Sequence, residues 1–287
     1  MSDKDITINK DNLYNNLRGE CKECFGLCCT ALYFSKNDGF PQNKDAGKPC
    51  LNLENNFNCK VHNNLIKKGL KGCTSYDCFG AGQKIAQVTY KGIDWRRDPE
   101  KSQEMFDAFL VMVQVHEMMW YLAEALRLKP GKDIEEKITE MINKTEEITN
   151  LEAQSLINND LLPHQKKVNE LLAETSKIIR GRFNKSSKSL LKNKKRIAGR
   201  LNFMGQDLSK MNLKGENLSG AFLIAANMKG CDLSGTDFLG ADLRDTDLCG
   251  ADLSKSLYLT QMQLNSAKGD SSTKIPESLI RPHQWSK

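Results

Sequence analysis

From Leu201 to Tyr258 the chain repeats in fives. The central residues are Phe203, Leu208, Leu213, Leu218, Leu223, Met228, Leu233, Phe238, Leu243, Leu248, Leu253 and Tyr258, and all twelve are apolar. At a background of about 0.4 apolar per position, chance gives this on the order of once in 10⁵ tries, so the spacing is a repeat. A period of five matches neither a helix, at about 3.6, nor a flat strand, at about 2. It predicts short extended segments separated by corners. Residues two apart in an extended segment share a face. Two before the centres stand Ala221, Ala226, Cys231, Thr236, Ala241, Thr246, Ala251 and Ser256, small enough to share an interior with them. Between lie Asp207, Asn212, Asn217, Asn227, Asp232, Asp237, Asp242, Asp247 and Asp252, expected to point outward and cap the corner backbone. The fifth residue is often Gly, which frees the backbone to turn.

The units CDLSG, TDFLG, ADLRD, TDLCG and ADLSK resemble the A(D/N)LxG pattern of the pentapeptide-repeat family. The resemblance implies a right-handed quadrilateral β-helix with four fives per coil. Three coils stacked at ~4.8 Å then span only ~15 Å. The early fives QDLSK, MNLKG and ENLSG lack the small inward residue, so the first coil is expected to be the least regular. Behind the last coil, LTQMQLNSAKG predicts a short helix with Thr260 as N-cap and Gly269 as stop. The tail IPESLIRPHQW is expected to cover the open end, as solenoids require.

Helical periodicity fills residues 99–182. Asp98 and Pro99 predict a start, and Met105, Phe106, Phe109, Leu110, Met112, Val113, Met119, Trp120, Leu122, Ala123 and Leu126 form a broad apolar face that Pro130-Gly131 ends. His116 and Glu117 are neighbours on that helix, do not face each other, and are read as packing or solvent residues. Asp133 with Glu136 predicts a capping box for a second helix striped by Ile134, Ile138, Met141 and Ile148. Val168, Leu171, Leu172, Ile178 and Ile179 stripe a third, starting near Pro163.

A hydrophobic content of 39% and a formal charge of +6 describe an ordinary soluble chain. The opening MSDKDITINKDN has no apolar core of a signal peptide, and the apolar run from Phe106 to Leu126 carries too many polar residues to span a bilayer. The expected location is the cytoplasm, where thiols stay reduced. Eight of the ten cysteines fall between positions 21 and 78: Cys21, Cys24, Cys28, Cys29, Cys50, Cys59, Cys73 and Cys78. Cys231 occupies a small inward position of the repeat and Cys249 an outward one, and both are read as structural. The apolar residues around the eight are sparse, and so thin a core needs a staple, either metal or disulfides; a reducing compartment favours metal. C-x2-C places two thiolates on one turn, the usual grip on a tetrahedral ion. All-thiolate ligation favours zinc or iron–sulfur over harder cations. Eight thiolates suit two zinc ions, or one cluster and one ion, and adjacent Cys28 and Cys29 are expected to serve different metals or to bridge two. His62, after Cys59, is read as a surface or supporting residue or as an extra ligand. The GxG of Gly80 and Gly82 is a weak phosphate-loop signal and predicts a tight turn.

The arrangement CKECFGLCC, KPC, CKVH and GCTSYDC resembles a cysteine-cluster family of zinc- or iron-chelating domains that includes flagellin lysine methylase-like proteins. Carried over, the resemblance makes the same eight cysteines the metal ligands, with three residues between Cys24 and Cys28 where two are common. CTSYDCFGAGQ followed by DWRRDPE resembles bacterial proteins that join such a cluster to C-terminal pentapeptide repeats. There Trp95, Arg96 and Arg97 are expected to dock the cysteine module on the helix behind.

Between positions 177 and 200 lie ten basic and no acidic residues, among them Lys177, Arg180, Arg182, Lys185, Lys188, Lys192 and Arg200. This reads first as a solvated linker and second as a contact for an anionic partner, nucleic acid or a membrane surface. The expected fold class is α+β multidomain. Its parts are a tail at 1–20, a small metal-stapled cysteine-rich module at 21–98, a helical region at 99–182, a basic linker at 183–200, the pentapeptide-repeat β-helix at 201–260 and a cap at 261–287. No catalytic residue emerges. The function expected is a metal-binding, non-enzymatic interaction or scaffold protein, with a protein partner and with a homodimer admitted. The alternatives are an iron–sulfur or zinc-dependent enzyme or metal-handling protein, and a DNA-mimic modulator of a topoisomerase. Against the last, residues 201–265 are only mildly acidic.

Overall fold

The computed structural model describes residues 10–184, 191 and 193–286. Two compact units divide the chain, Met1–Gly72 with Asp77–Leu171, and Cys73–Tyr76 with Leu172–Lys287.

The first unit is built around helix α5, Ser102–Arg127. Pro99 opens a preceding 3-10 turn, Pro99–Lys101, where its missing N–H is no loss, although the Asp98 side chain forms no cap bond. Met105, Phe109, Met112, Val115, Met119 and Leu122 are fully buried on α5. The buried face is broad because many elements press on it: α1 (Lys10–Asn16), α2 (Leu27–Ala31), α4 (Ala81–Gln83), α6 (Lys132–Thr149) and α7 (Ala153–Ile157). A carboxylate is buried near its end. Glu124, 1% exposed, accepts from Tyr14 Oη at 2.7 Å and from Arg127 Nη2 at 2.8 Å. A buried charge is tolerable only when paired in this way, and the pairing pins α1 to α5.

α6 departs from the expected capping box. It starts at Lys132 behind Gly131 (φ 130°), with no side-chain cap, so Asp133 lies within the first turn rather than before it. Its buried stripe is Ile134, Ile138, Ile142, Thr145 and Thr149, whereas Met141 and Ile148 are half-exposed. The Thr145 hydroxyl can take a place in that stripe because it donates to Met141 O at 2.7 Å and meets His164 Nε2 at 2.9 Å. Helix α8, Leu162–Phe183, begins beside Pro163 as expected. The boundary between the units falls inside it.

In the second unit the chain pairs with itself at a spacing of twenty. Single-residue parallel bridges join Asn202 to Phe222, Asp207 to Asn227, Asn217 to Asp237, Phe222 to Asp242, Asn227 to Asp247, Asp232 to Asp252 and Asp237 to Leu257. The Leu223 N–H donates to Asp242 O at 2.9 Å, and the Asp242 N–H donates back to Ala221 O at 2.9 Å. Among the described residues the one ladder longer than a single bridge is an antiparallel hairpin of β1 (Arg196–Ile197) with β2 (Arg200–Leu201). All twelve central residues are at most 1% exposed. The hydroxyls two before the centres do more than fit. Thr236 and Thr246 donate to the carbonyls of Leu213 and Leu223, at 2.8 and 2.7 Å, and in the tail Thr273 donates to Leu248 O at 3.0 Å. The first return is the least regular: Gln206 is exposed, Met211 half-exposed, and no bridge joins Asn212 to Asp232.

The second half of α8 lies along one side of these repeats. Leu172 O accepts from Tyr258 Oη at 3.0 Å, and Ser176 Oγ donates to Asp237 Oδ2 at 2.5 Å. Asp237, expected outside, is therefore 3% exposed, and burial raises its pKa. The helix can come this close because Gly235 has no Cβ, which would sit 2.3 Å from the Phe183 ring. Gly215 clears Asn184 in the same way, twenty residues earlier. Helix α9, Gln261–Ser266, has the expected Thr260 N-cap, completed by Gln263 as a capping box. It ends at Ser266, before Gly269; that glycine instead makes room for the Trp285 ring, which a Cβ would approach to 2.5 Å. Bridges from Asp247 to Lys268 and from Asp252 to Lys274 carry the pairing into the tail, and Trp285 is fully buried.

Gly235→Ala adds a clash to a positive φ of 71° and should cost about 2–3 kcal/mol in urea unfolding. Ala225→Gly relieves an alanine held at φ 55° and should add about 0.5–1 kcal/mol. Thr246→Val should cost about 1 kcal/mol, the net worth of one buried hydrogen bond.

Candidate functional site

The cysteine segment is held by short turns rather than by regular structure. Cys21 opens the 3-10 turn Cys21–Glu23. Two glutamines fix that turn. Gln83 accepts from the Glu20 N–H and donates to Arg18 O, both at 2.8 Å, and Gln87 donates to Glu23 O at 2.8 Å. Gly26, at φ 65°, then turns the chain into α2, which carries Cys28 and Cys29 with their sulfurs 4.0 Å apart. Further on, the Cys50 N–H donates to Cys29 O at 3.0 Å, and Leu53 bridges Cys59 across an antiparallel turn. Cys78 precedes Gly80 and Gly82. A Cβ on Gly82 would lie 2.5 Å from the Cys24 sulfur and 3.9 Å from the Cys78 sulfur, so the bare glycine lets both approach.

Backbone N–H groups are aimed at two of these sulfurs. Leu27 N donates to Cys24 Sγ at 3.5 Å and Asn52 N to Cys50 Sγ at 3.4 Å. Such donors favour a negatively charged sulfur. Against them, burial, with a lesser contribution from neighbouring thiolates, raises the thiol pKa of Cys24 to about 12 and of Cys21 to about 11. The Cys28 thiol is raised by its bond to Cys29 and by burial, while the same bond lowers Cys29. Lys44, beside Cys29 and Cys50, spends its ammonium on the carbonyls of Thr30, Asp45 and Lys48, at 3.0, 3.0 and 2.7 Å. By donor type alone, cysteine sulfurs suit a thiophilic ion such as zinc or iron rather than a harder cation.

All ten cysteines are free thiols. Among the described residues no three His, Cys, Asp or Glu side chains stand together so as to hold one ion. Cys21, Cys24, Cys28, Cys29, Cys50, Cys59 and Cys78 belong to the first unit, while Cys73, on α3 (Lys71–Ser75), belongs to the second. His62 is exposed, and its N–H donates to Cys59 O at 3.1 Å. Trp95 docks as expected, donating to Phe25 O at 2.8 Å and meeting Phe106 of α5 edge-on. Arg96 lies over Phe57 and donates to Asn55 O, but Arg97 is turned to solvent beside Asp94. The glutamines at 83 and 87, one helical turn apart, were legible only as polar residues. His116, read as a packing or solvent residue, is buried and joins Nδ1 to Phe79 O at 2.7 Å, which makes Nδ1 the protonated nitrogen.

In the basic segment Lys185, Lys188 and Lys192 lie outside the described residues. Arg180 Nε donates to Ser176 Oγ, and Arg200 binds the carbonyls of Gly220 and Gly240 while covering Phe222. These arginines serve the repeats. No helix among the described residues is long and apolar enough to cross a membrane.

The returning fives define a pentapeptide-repeat protein, and residues 202–238 and 217–255 match the pentapeptide-repeat family with eight copies. Over 281 residues, 98% of this chain and 99% of the relative, the sequence is 49% identical to the Bacillus subtilis (strain 168) protein described as "Uncharacterized protein YybG", and the chain belongs to that protein's family. The similarity therefore runs through the cysteine segment, which the repeat match leaves outside. No solved structure matches.

Burial holds the His116 pKa at about 4, below its ordinary value near 6.5. As pH falls below 6.5 the unfolded chain takes up a proton that the folded chain refuses, so stability declines until about pH 4. Moving from pH 7 to pH 5 should remove about 2 kcal/mol through this group. Urea titrations of His116→Gln, which retains a donor for Phe79 O, should show a correspondingly shallower decline.

Proposed function

We propose that the chain is a metal-binding, non-enzymatic interaction protein. The thiolates between Cys21 and Cys78 bind zinc or iron and staple a unit whose own apolar content is thin around them. The observation that carries this reading is the pair of backbone N–H groups that donate to cysteine sulfurs, Leu27 to Cys24 at 3.5 Å and Asn52 to Cys50 at 3.4 Å. In the same reading the repeats form a right-handed quadrilateral β-helix of four fives per coil, its sides presented to a protein partner. Their interior is filled by the centres, leaving no cleft for a substrate along the coil axis. Mimicry of DNA is disfavoured, because aspartates on the repeats are neutralised: Lys214 meets Asp232 at 2.9 Å, Lys229 meets Asp247 at 3.2 Å, and Lys274 meets Asp252 at 3.0 Å.

Elemental analysis and an absorption spectrum on full-length protein purified without air test the reading. About two zinc ions per chain, colourless, are expected. A chelator under reducing conditions should then lower the melting temperature. Iron with sulfide and a visible chromophore would keep the metal but move the function toward redox or group-transfer chemistry. Metal-free protein with every thiol reactive overturns the reading.

A further inference from the structure

We infer that the β1–β2 hairpin at the head of the repeats is a contact for an anionic lipid surface, with Lys194, Lys195 and Arg196 at the headgroups and Ile197 and Met204 entering the layer beneath. The inference does not depend on the metal-binding reading above.

The hairpin is tight. Arg196 stands opposite Leu201 and Ile197 opposite Arg200, so Ala198 and Gly199 alone make the turn, at φ 48° and 76°. Two left-handed residues form the turn that suits the twist of a hairpin, and their small side chains leave the tip slim. The Asn202 N–H donates to Lys195 O at 2.9 Å, and Asn202 in turn bridges Phe222, which ties the hairpin to the repeats. Lys194, Lys195, Arg196 and Ile197 are all exposed. The ion pairs of the repeats go to Lys214, Lys229, Arg244, Lys268 and Lys274, and among the described residues none of the three hairpin cations has a carboxylate partner. Alternation along an extended strand puts Lys195 and Ile197 on one face. Arg200, across from Ile197, is turned away onto the carbonyls of Gly220 and Gly240 and the Phe222 ring, and so leaves Ile197 uncovered. Ile197 is 42% exposed and Met204, just past the hairpin, 45%; among the described residues of the second unit the one other large apolar side chain this open is Ile280, in the tail.

Cations beside uncovered apolar side chains select the partner. Anionic lipid takes both, the headgroups holding the cations and the acyl chains the apolar groups. A nucleic-acid backbone would hold the cations but offers nothing to Ile197 or Met204, and the hairpin has no aromatic ring on which a base could stack. A second copy pairing along the open edge of β1 would set three cations against three.

The test is sedimentation of the full-length protein, purified without air, with vesicles of phosphatidylcholine alone or mixed with phosphatidylglycerol. Binding to the mixed vesicles only is expected, weakening as salt is raised. Lys195→Ala should weaken it about fivefold. Ile197→Ser, which keeps every charge, should also weaken it about fivefold. Both side chains are exposed, so both variants should keep the wild-type melting temperature. Absence of binding to either vesicle overturns the inference, as does binding to the mixed vesicles that Ile197→Ser and Met204→Ser leave unchanged. Retention of duplex DNA or RNA in a gel shift, equal in wild type and Ile197→Ser and without vesicle binding, assigns the cations to nucleic acid and overturns it too.

Discussion

Five residues are too few to satisfy their own backbone. Each extended piece of the repeat ends before it can form a ladder, so its N–H and C=O groups must find partners elsewhere, and those partners stand twenty residues on. Everything else in the second unit follows from that return. It stacks the twelve centres into one interior, places a Thr hydroxyl under the carbonyl of an earlier centre, and brings Gly215 and Gly235 to the same side, where α8 lies against them.

The two units answer a shortage of internal order in opposite ways. The repeat recovers order through regular pairing and a dry interior. The cysteine segment has neither and relies on side chains that hold backbone: Gln83, Gln87, Trp95 and Arg96 each donate to a carbonyl of a neighbouring turn. Within it, burial raises the thiol pKa values of Cys21, Cys24 and Cys78.

Legibility in the sequence tracked periodicity. The centres at 203 to 258, the irregular first return, the Thr260 cap and the broad face of α5 were all readable, because each follows from spacing that local geometry enforces. Asp237 was misplaced outside, since its burial depends on Ser176, 61 positions earlier in the sequence. Gly269 looked like a helix stop and is a clearance for Trp285. The α6 stripe was shifted from Ile142 to Met141 because Thr145 and Thr149 do not look apolar until their hydroxyls find carbonyls. In the cysteine segment the donor types were plain, but the residues that seat them are ordinary glutamines and glycines whose role is set by neighbours distant in sequence.

The contact of α8 with positions one full return apart sets how this chain can change length through evolution. An insertion of one five between Gly215 and Gly235 would carry Gly235 out of the twenty-residue register with Gly215 and put a different five beneath the helix. A duplication of twenty residues preserves the pairing register and lengthens the repeat between the α8 contacts and the tail. Relatives should therefore differ in repeat number by multiples of four fives, and indels of any other size should be tolerated only past the last residue that α8 touches.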